Sequence, residues 1–354
     1  MRPEQWQRFK AAAKRQPLEG PVPVAFIVDC PWIPPYCGVR HRDYFFDPDT
    51  WFRCHLRVIQ DFPEVIWFPS WWSEVGMGAE PSALGARLRF HDDRVPDVEP
   101  LPVAVERLHE ATAPDAVHDG FMALCLYRYE KLKHRIAEAG CCVPVVAARG
   151  PLTIASFVRG VTQLMEDIID HPEQTLQLLE LTTRLGIQWL QAQAQVLGEQ
   201  VEGILVLDDL AGFIGRRHYL QFAHPFLKRY AEAFPPHWVK VFHNDASVKA
   251  CLDLLPDTGF DVLNWGVETP MAEACQRIQG RMTLMGNVPP LDLGVRGTPE
   301  ANYAAAWQAL ETAGNHPLIL SFAGATTTGV SPENIRAIAR AAQDFYHQRR
   351  SRAV

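Results

Sequence analysis

Eight short, unbroken apolar runs, most of them separated by helix-length segments, constrain this chain most. They are Val22–Asp29, Glu64–Phe68, Cys142–Ala148, Gly203–Asp208, Trp238–His243, Phe260–Asn264, Met282–Asn287 and Pro317–Phe322. Continuous rather than alternating hydrophobicity suits strands buried on both faces, and so a parallel sheet. Eight such strands alternating with helices predict an α/β chain folded as a (β/α)8 TIM barrel. A doubly wound sheet would normally show a glycine-rich phosphate turn after an early strand, and the sequence has none. The 354 residues suit one barrel of about 250 residues plus insertions, so a single domain over 1–354 is expected.

The segments between the runs carry helix-opening signals. Asp47-Pro48-Asp49 opens a helix reaching about Gln60, and His171-Pro172-Glu173 opens one reaching about Leu197. Thr298-Pro299-Glu300 and Ser331-Pro332-Glu333 repeat the pattern of cap, proline and acid. The alternating stretch Ala83–Phe90 and the proline-rich connector after it predict a hairpin. Residues 70–100 then form an excursion over the C-terminal mouth of the barrel. The N-terminal MRPEQWQRFKAAAKRQ reads as a surface helix without a secretory core, which implies a cytoplasmic protein. No apolar run approaches the roughly 18 residues of a membrane span. A net charge of −7 offers no basic footprint for nucleic acid. Without a signal peptide, the eight cysteines are expected as free thiols, mostly buried as small hydrophobes.

In such barrels chemistry collects at the C-terminal strand ends. Those ends carry Asp29, Asp208, Asp209, His243, Asp245, Asn264 and Asn287. Singly, each could merely cap the next helix. Together they would converge on one mouth. His243-Asn244-Asp245 is the sharpest local pattern. Its imidazole and carboxylate could bind a metal, form an oriented general base, or hydrogen-bond a polar substrate. Asp208 and Asp209 are adjacent and so point apart, which predicts one in the pocket and one in the scaffold. The aromatic segment Trp67–Met77 places Trp71 and Trp72 either in the core or as a stacking platform. Glu74 and Glu80 lie in or just after it as candidate acids. His243, Asp245, Asp208 and Glu74 are the expected catalytic set. Asp29, Trp71, Trp72, Glu80, Asp209, Asn264 and Asn287 are expected to bind substrate. Arg40, His41 and Arg42 read as a solvated charge cluster.

Four stretches together resemble the uroporphyrinogen decarboxylase superfamily, which includes corrinoid-dependent methyltransferases. They are RGPLTIASFVRG with the following HPEQTLQLLELTT, VLDDLAGFIGRRHYLQFAHPFLKRY, VKVFHNDASVKACLDLLPDTGFDVLNW, and MGNVPPLDLGVRGTPE with LSFAGATTTGVSPENI. The resemblance spans about residues 140–340, with weaker support at AEPSALGARLRF, and it implies the same barrel. It also implies departures from the decarboxylases. Their Arg-Gln-Ala-Gly-Arg segment is replaced by DCPWIPPYCGVRHRDY, and their Phe-Ser-Asp-Ile segment by WFPSWWSEVG. In the thiol-methylating branch a zinc ion sits on a His-x-Cys pair and a distant Cys. The histidine falls at His243, but the two cysteines fall at Asp245 and about Gly324. The resemblance therefore implies a methyl-transferring enzyme using a corrinoid, free or on a partner protein, with a small-molecule methyl donor or acceptor. Any zinc would sit on His243 and Asp245 without the cysteines. A decarboxylase of a tetrapyrrole or other polycarboxylate is the alternative, and a non-catalytic binding protein is the second.

Overall fold

The structure, a computed structural model, describes residues 1–28, 30–102, 107 and 114–352. The chain is α/β. Its strands are β1 Ala25–Ile27, β2 Ile66–Phe68, β3 Arg87–Arg89, β4 Asp97–Glu99, β5 Val145–Arg149, β6 Gly203–Leu207, β7 Val239–Asn244, β8 Val262–Trp265, β9 Thr283–Val288 and β10 Leu318–Phe322. Each of the eight apolar runs carries one parallel strand, and β3 and β4 form the antiparallel hairpin.

The pairing pattern refines the expectation of a closed barrel. Strands β10-β9-β8-β7-β6-β5 form a six-stranded parallel sheet, and β1-β2 form a separate parallel pair. Bridges at Val24–Leu320 and Ile27–Ala325 set β1 beside β10. Among the described residues no strand pairing joins β2 to β5. The physical reason lies on the outer edge of β5, where other groups satisfy the backbone. The Gln193 side-chain amide donates to Ala147 O at 3.0 Å, and Arg149 N–H donates to Glu80 Oε1 at 2.8 Å. Buried side chains here do what a neighbouring strand would otherwise do. All eight parallel strands still contribute to one inner cluster, which includes Ile27, Phe68, Ala147, Leu205, Val241, Val262, Met285 and Ile319.

The N-terminal helix Pro3–Ala13 is not a simple surface helix. Its Trp6, Phe9, Ala12 and Ala13 are buried in that inner cluster. Phe9 stacks on Phe68 with ring centroids 4.5 Å apart, and Thr283 Oγ1 donates to Ala12 O at 2.9 Å. The helix thus covers the N-terminal ends of the strands and leaves the C-terminal ends for chemistry.

The four predicted helix openings appear, three of them with a side-chain cap. Helix Pro48–Asp61 begins on the Asp47 carboxylate, which accepts from the N–H groups of Asp49 and Thr50. Helix Pro299–Ala313 begins on Thr298, whose hydroxyl accepts from Ala301 N. Ser331 Oγ accepts from Asn334 N at the start of helix Pro332–Arg352. Helix Pro172–Leu197 forms without a side-chain cap from His171. The β3–β4 hairpin is tied to the main body through Leu101 N–H, which donates to Val158 O at 2.8 Å. The eight cysteines are free thiols. No helix among the described residues is long and apolar enough to cross a membrane.

Candidate functional site

On β7 the inward-facing residues alternate, so Val239 and Val241 of the inner cluster place His243 on the same face at the C-terminal end. On β8, Val262 places Asn264 likewise. The two side chains meet: His243 Nδ1 and Asn264 Oδ1 are 2.7 Å apart. Asn264 spends its amide hydrogens on Met285 O at 2.7 Å and Phe322 O at 3.1 Å. Its Oδ1 must therefore accept, and His243 Nδ1 must carry the proton. The other ring nitrogen, Nε2, faces two carboxylates, 3.5 Å from Asp245 Oδ1 and 3.7 Å from Asp209 Oδ1. Burial opposes a charge on His243, but Asp245 and Asp209 outweigh it and raise the ring's pKa to about 9.

Asp245 is held by its own backbone, since its N–H donates to Asp209 Oδ1 at 2.7 Å. The side chain of His243 is 2% exposed, against 26% for Asp209 and 48% for Asp245, so the cluster is closed behind and open in front. Asp209, His243 and Asp245 each offer a donor atom within 4.8 Å of the others. One nitrogen and two carboxylate oxygens around a common point can hold a divalent cation or relay a proton.

The remaining candidates divide between this face and the scaffold. Asp208 is wholly buried, and its carboxylate accepts from Thr153 N at 2.8 Å, Thr153 Oγ1 at 2.8 Å and Leu152 N at 3.3 Å. It seals the N-terminus of helix Pro151–Arg159, while Asp209 turns to the open face. Burial pushes Asp208 up to about 7 despite the opposing Thr153 and Leu152 hydrogen bonds. The Gly-Pro turn is what admits it, because a Cβ on Gly150 would lie 2.4 Å from Asp208 Cβ.

Glu74 is buried and paired with Arg149 at 3.0 Å, and it accepts Cys30 N–H at 2.9 Å. Glu80 faces the same arginine through its backbone bond, and burial raises its pKa. Trp72 lies under the Arg149 guanidinium, 4.5 Å from ring centroid to cation. Trp71 packs in the core against Phe52 and His55, with centroids 5.2 and 5.4 Å away. Asn287 borders a separate groove of about 390 Å³ with Met271, Pro289 and helix Pro299–Ala313. Asp29 lies outside the described residues. Arg40 and Arg42 pair with Asp43 and Asp92 at the surface, whereas His41 between them is buried and so is not part of a solvated cluster.

Arg149 escaped the sequence reading, and Gly324 entered it only as the place of a lost cysteine. Arg149 ends β5, and the strand-end rule that found His243 would have found it too. Gly324 follows β10 at φ +87°, and a Cβ there would lie 1.8 Å from Asp245 Oδ1. No local sequence signal shows that contact.

The family profile described as uroporphyrinogen decarboxylase matches residues 5–345. A uroporphyrinogen decarboxylase of Schizosaccharomyces pombe is 25% identical over 334 residues, covering 86% of this chain and 88% of that protein. One of Anaeromyxobacter dehalogenans is 27% identical over 211 residues, and this chain spans only 59% of its length. Among solved structures, a methyltransferase from Methanosarcina mazei superposes with a TM-score of 0.81 at 22% identity, covering 97% of this chain and 99% of the other. A B12-independent methionine synthase from Shewanella sp. superposes with a TM-score of 0.57 at 12% identity, covering 94% and 99%. With a family match over almost its whole length, the chain belongs to the uroporphyrinogen decarboxylase family.

Proposed function

We propose that this chain is a methyl-transferring enzyme whose open strand-end face works with a corrinoid, free or carried by a partner protein, and a small-molecule methyl donor or acceptor. One observation carries the reading: among the described residues the face centres on a histidine flanked by Asp209 and Asp245, not on a set of cations. A polycarboxylate substrate needs several uncommitted positive charges. Arg149, the buried guanidinium that ends β5, is already paired with Glu74.

His243 and Asp245 are the residues for the reacting heteroatom. Asn264 holds the ring so that Nε2 faces the open side. A divalent ion on these residues would act as a Lewis acid toward the heteroatom that gains or loses the methyl group. Glu74 and Asp208 keep supporting parts, Glu74 by fixing Arg149 and Asp208 by fixing the helix that follows β5. The likeness in fold to the Methanosarcina mazei methyltransferase supports the reading.

Titration with cob(I)alamin or methylcobalamin and a panel of O-, N- and S-methyl compounds tests it. A change in corrin absorbance with one of them is the expected result, and no change with any donor or acceptor sinks the proposal. The curated relatives favour a second reading, decarboxylation of a tetrapyrrole. Conversion of uroporphyrinogen to its four-carboxylate product would establish that reading instead.

A further inference from the structure

The geometry points to a divalent-metal centre built only from nitrogen and oxygen, with His243 Nε2, Asp209 and Asp245 as its three protein ligands and Gly324 as the residue that makes room for it. Three observations carry this independently of any reaction. The first is spacing. Nε2 lies 3.5 and 3.7 Å from the two carboxylate oxygens. That is longer than a hydrogen bond of about 2.9 Å. It matches the edge of about 3.4 Å between two ligands of one ion with bonds of roughly 2.1 Å at a tetrahedral angle.

The second is the tautomer. Asn264 is committed to two main-chain carbonyls, so it accepts from Nδ1 and leaves Nε2 as the ring nitrogen that an ion would take, displacing any proton there. A partner on the far ring nitrogen is the usual support of a metal-bound histidine. The third is space. Gly324 stands where any side chain would enter the cluster, since its Cβ would fall 1.8 Å from Asp245 Oδ1. Asp245 and Gly324 are therefore one unit, in which the carboxylate occupies the volume that a side chain at 324 would claim.

No cysteine joins this cluster among the described residues. The donor set is one imidazole and two carboxylates, so the centre suits Zn²⁺, Co²⁺ or Mn²⁺ and gives no thiolate bonding. The exposed side of Asp245 leaves the remaining coordination positions open to solvent or a small molecule.

The test uses the full chain, stripped of metal and then loaded with Zn²⁺, Mn²⁺ or Co²⁺ in turn. Free ion is removed by gel filtration and bound ion counted by elemental analysis, with thermal unfolding measured in parallel. One ion per chain, a raised melting temperature, and Co²⁺ d–d bands without a thiolate charge-transfer band are expected. Asp209→Asn and Asp245→Asn should each weaken binding by roughly 10-fold or more, and Asn264→Leu by roughly 10–100-fold. Gly324→Ala should weaken binding at least as much as Asp245→Asn does. If the positive φ at 324 prevents that variant from folding, the two Asn variants carry the test. Absence of stoichiometric ion in the parent overturns the inference, and so does unchanged binding in both Asn variants. None of these readouts needs turnover. An ion bound by a chain inert toward corrinoids would sink the methyl-transfer reading and leave this one standing.

Discussion

At the scale of single residues, His243 combines two properties that usually separate. It sits at a strand end, where side chains are often half-solvated, yet it is 2% exposed. His243→Ala is therefore expected to lower the unfolding free energy by roughly 2 kcal/mol, because it opens a void and leaves Asn264 Oδ1 without its donor. Urea unfolding measures this, and the corrin assay should show the same variant inactive. A loss under about 0.5 kcal/mol would mean that the ring is not packed as described. Glu80 supplies a pH prediction. Its folded pKa is raised, by burial first, so the folded chain holds that proton more tightly than the unfolded one. The sign follows: its favourable contribution is complete below the unfolded value of about 4.3 and is lost as pH rises toward the folded value. Glu80→Gln keeps the acceptor for Arg149 N–H and removes the titration. The variant should gain stability over the parent from pH 4 toward neutrality, and parallel stability–pH curves would refute this.

At the scale of elements, the helix Pro3–Ala13 shows how a pattern misleads when its partner surface is distant in sequence. Charges on Arg8, Lys10 and Lys14 make it look like a surface helix. Lys10 and Lys14 instead reach Glu202 and Asp261, both at 2.8 Å, while Trp6 and Phe9 fill the inner cluster. Phe9→Ala is expected to cost roughly 3–5 kcal/mol, since the ring is fully buried against Phe68. Calorimetry or urea unfolding of the variant checks it. By contrast, helix Pro48–Asp61 was legible residue by residue. Its N-cap is local, and the Asp47 carboxylate meets N–H groups two and three residues on.

At the scale of the whole molecule, the seam between β2 and β5 sets where stability is spent. Gln193 reaches from helix Pro172–Leu197 to the edge carbonyl of Ala147. Gln193→Leu would leave that buried carbonyl unpaired, so a loss of about 1–3 kcal/mol is expected in urea unfolding. The existence of eight parallel strands, their order along the chain and the strand ends that carry polar groups could all be read from the sequence. Strands buried on both faces must be continuously apolar, and the polar residues that end them stand out against that background. The pairing at the seam could not be read, because the groups that satisfy β5 come from Gln193 and Glu80, 46 and 69 residues away from their partners. Which of Asp208 and Asp209 would take the scaffold part was equally hidden, since adjacent carboxylates look alike until helix Pro151–Arg159 takes one of them. His243 and Asp245 announced themselves by proximity in sequence. That Asp209 completes their cluster, that Asn264 orients the ring and that Gly324 yields its volume to Asp245 are facts of strands and loops brought together by the sheet. Sequence periodicity records which face a residue takes, and only packing records what it meets there.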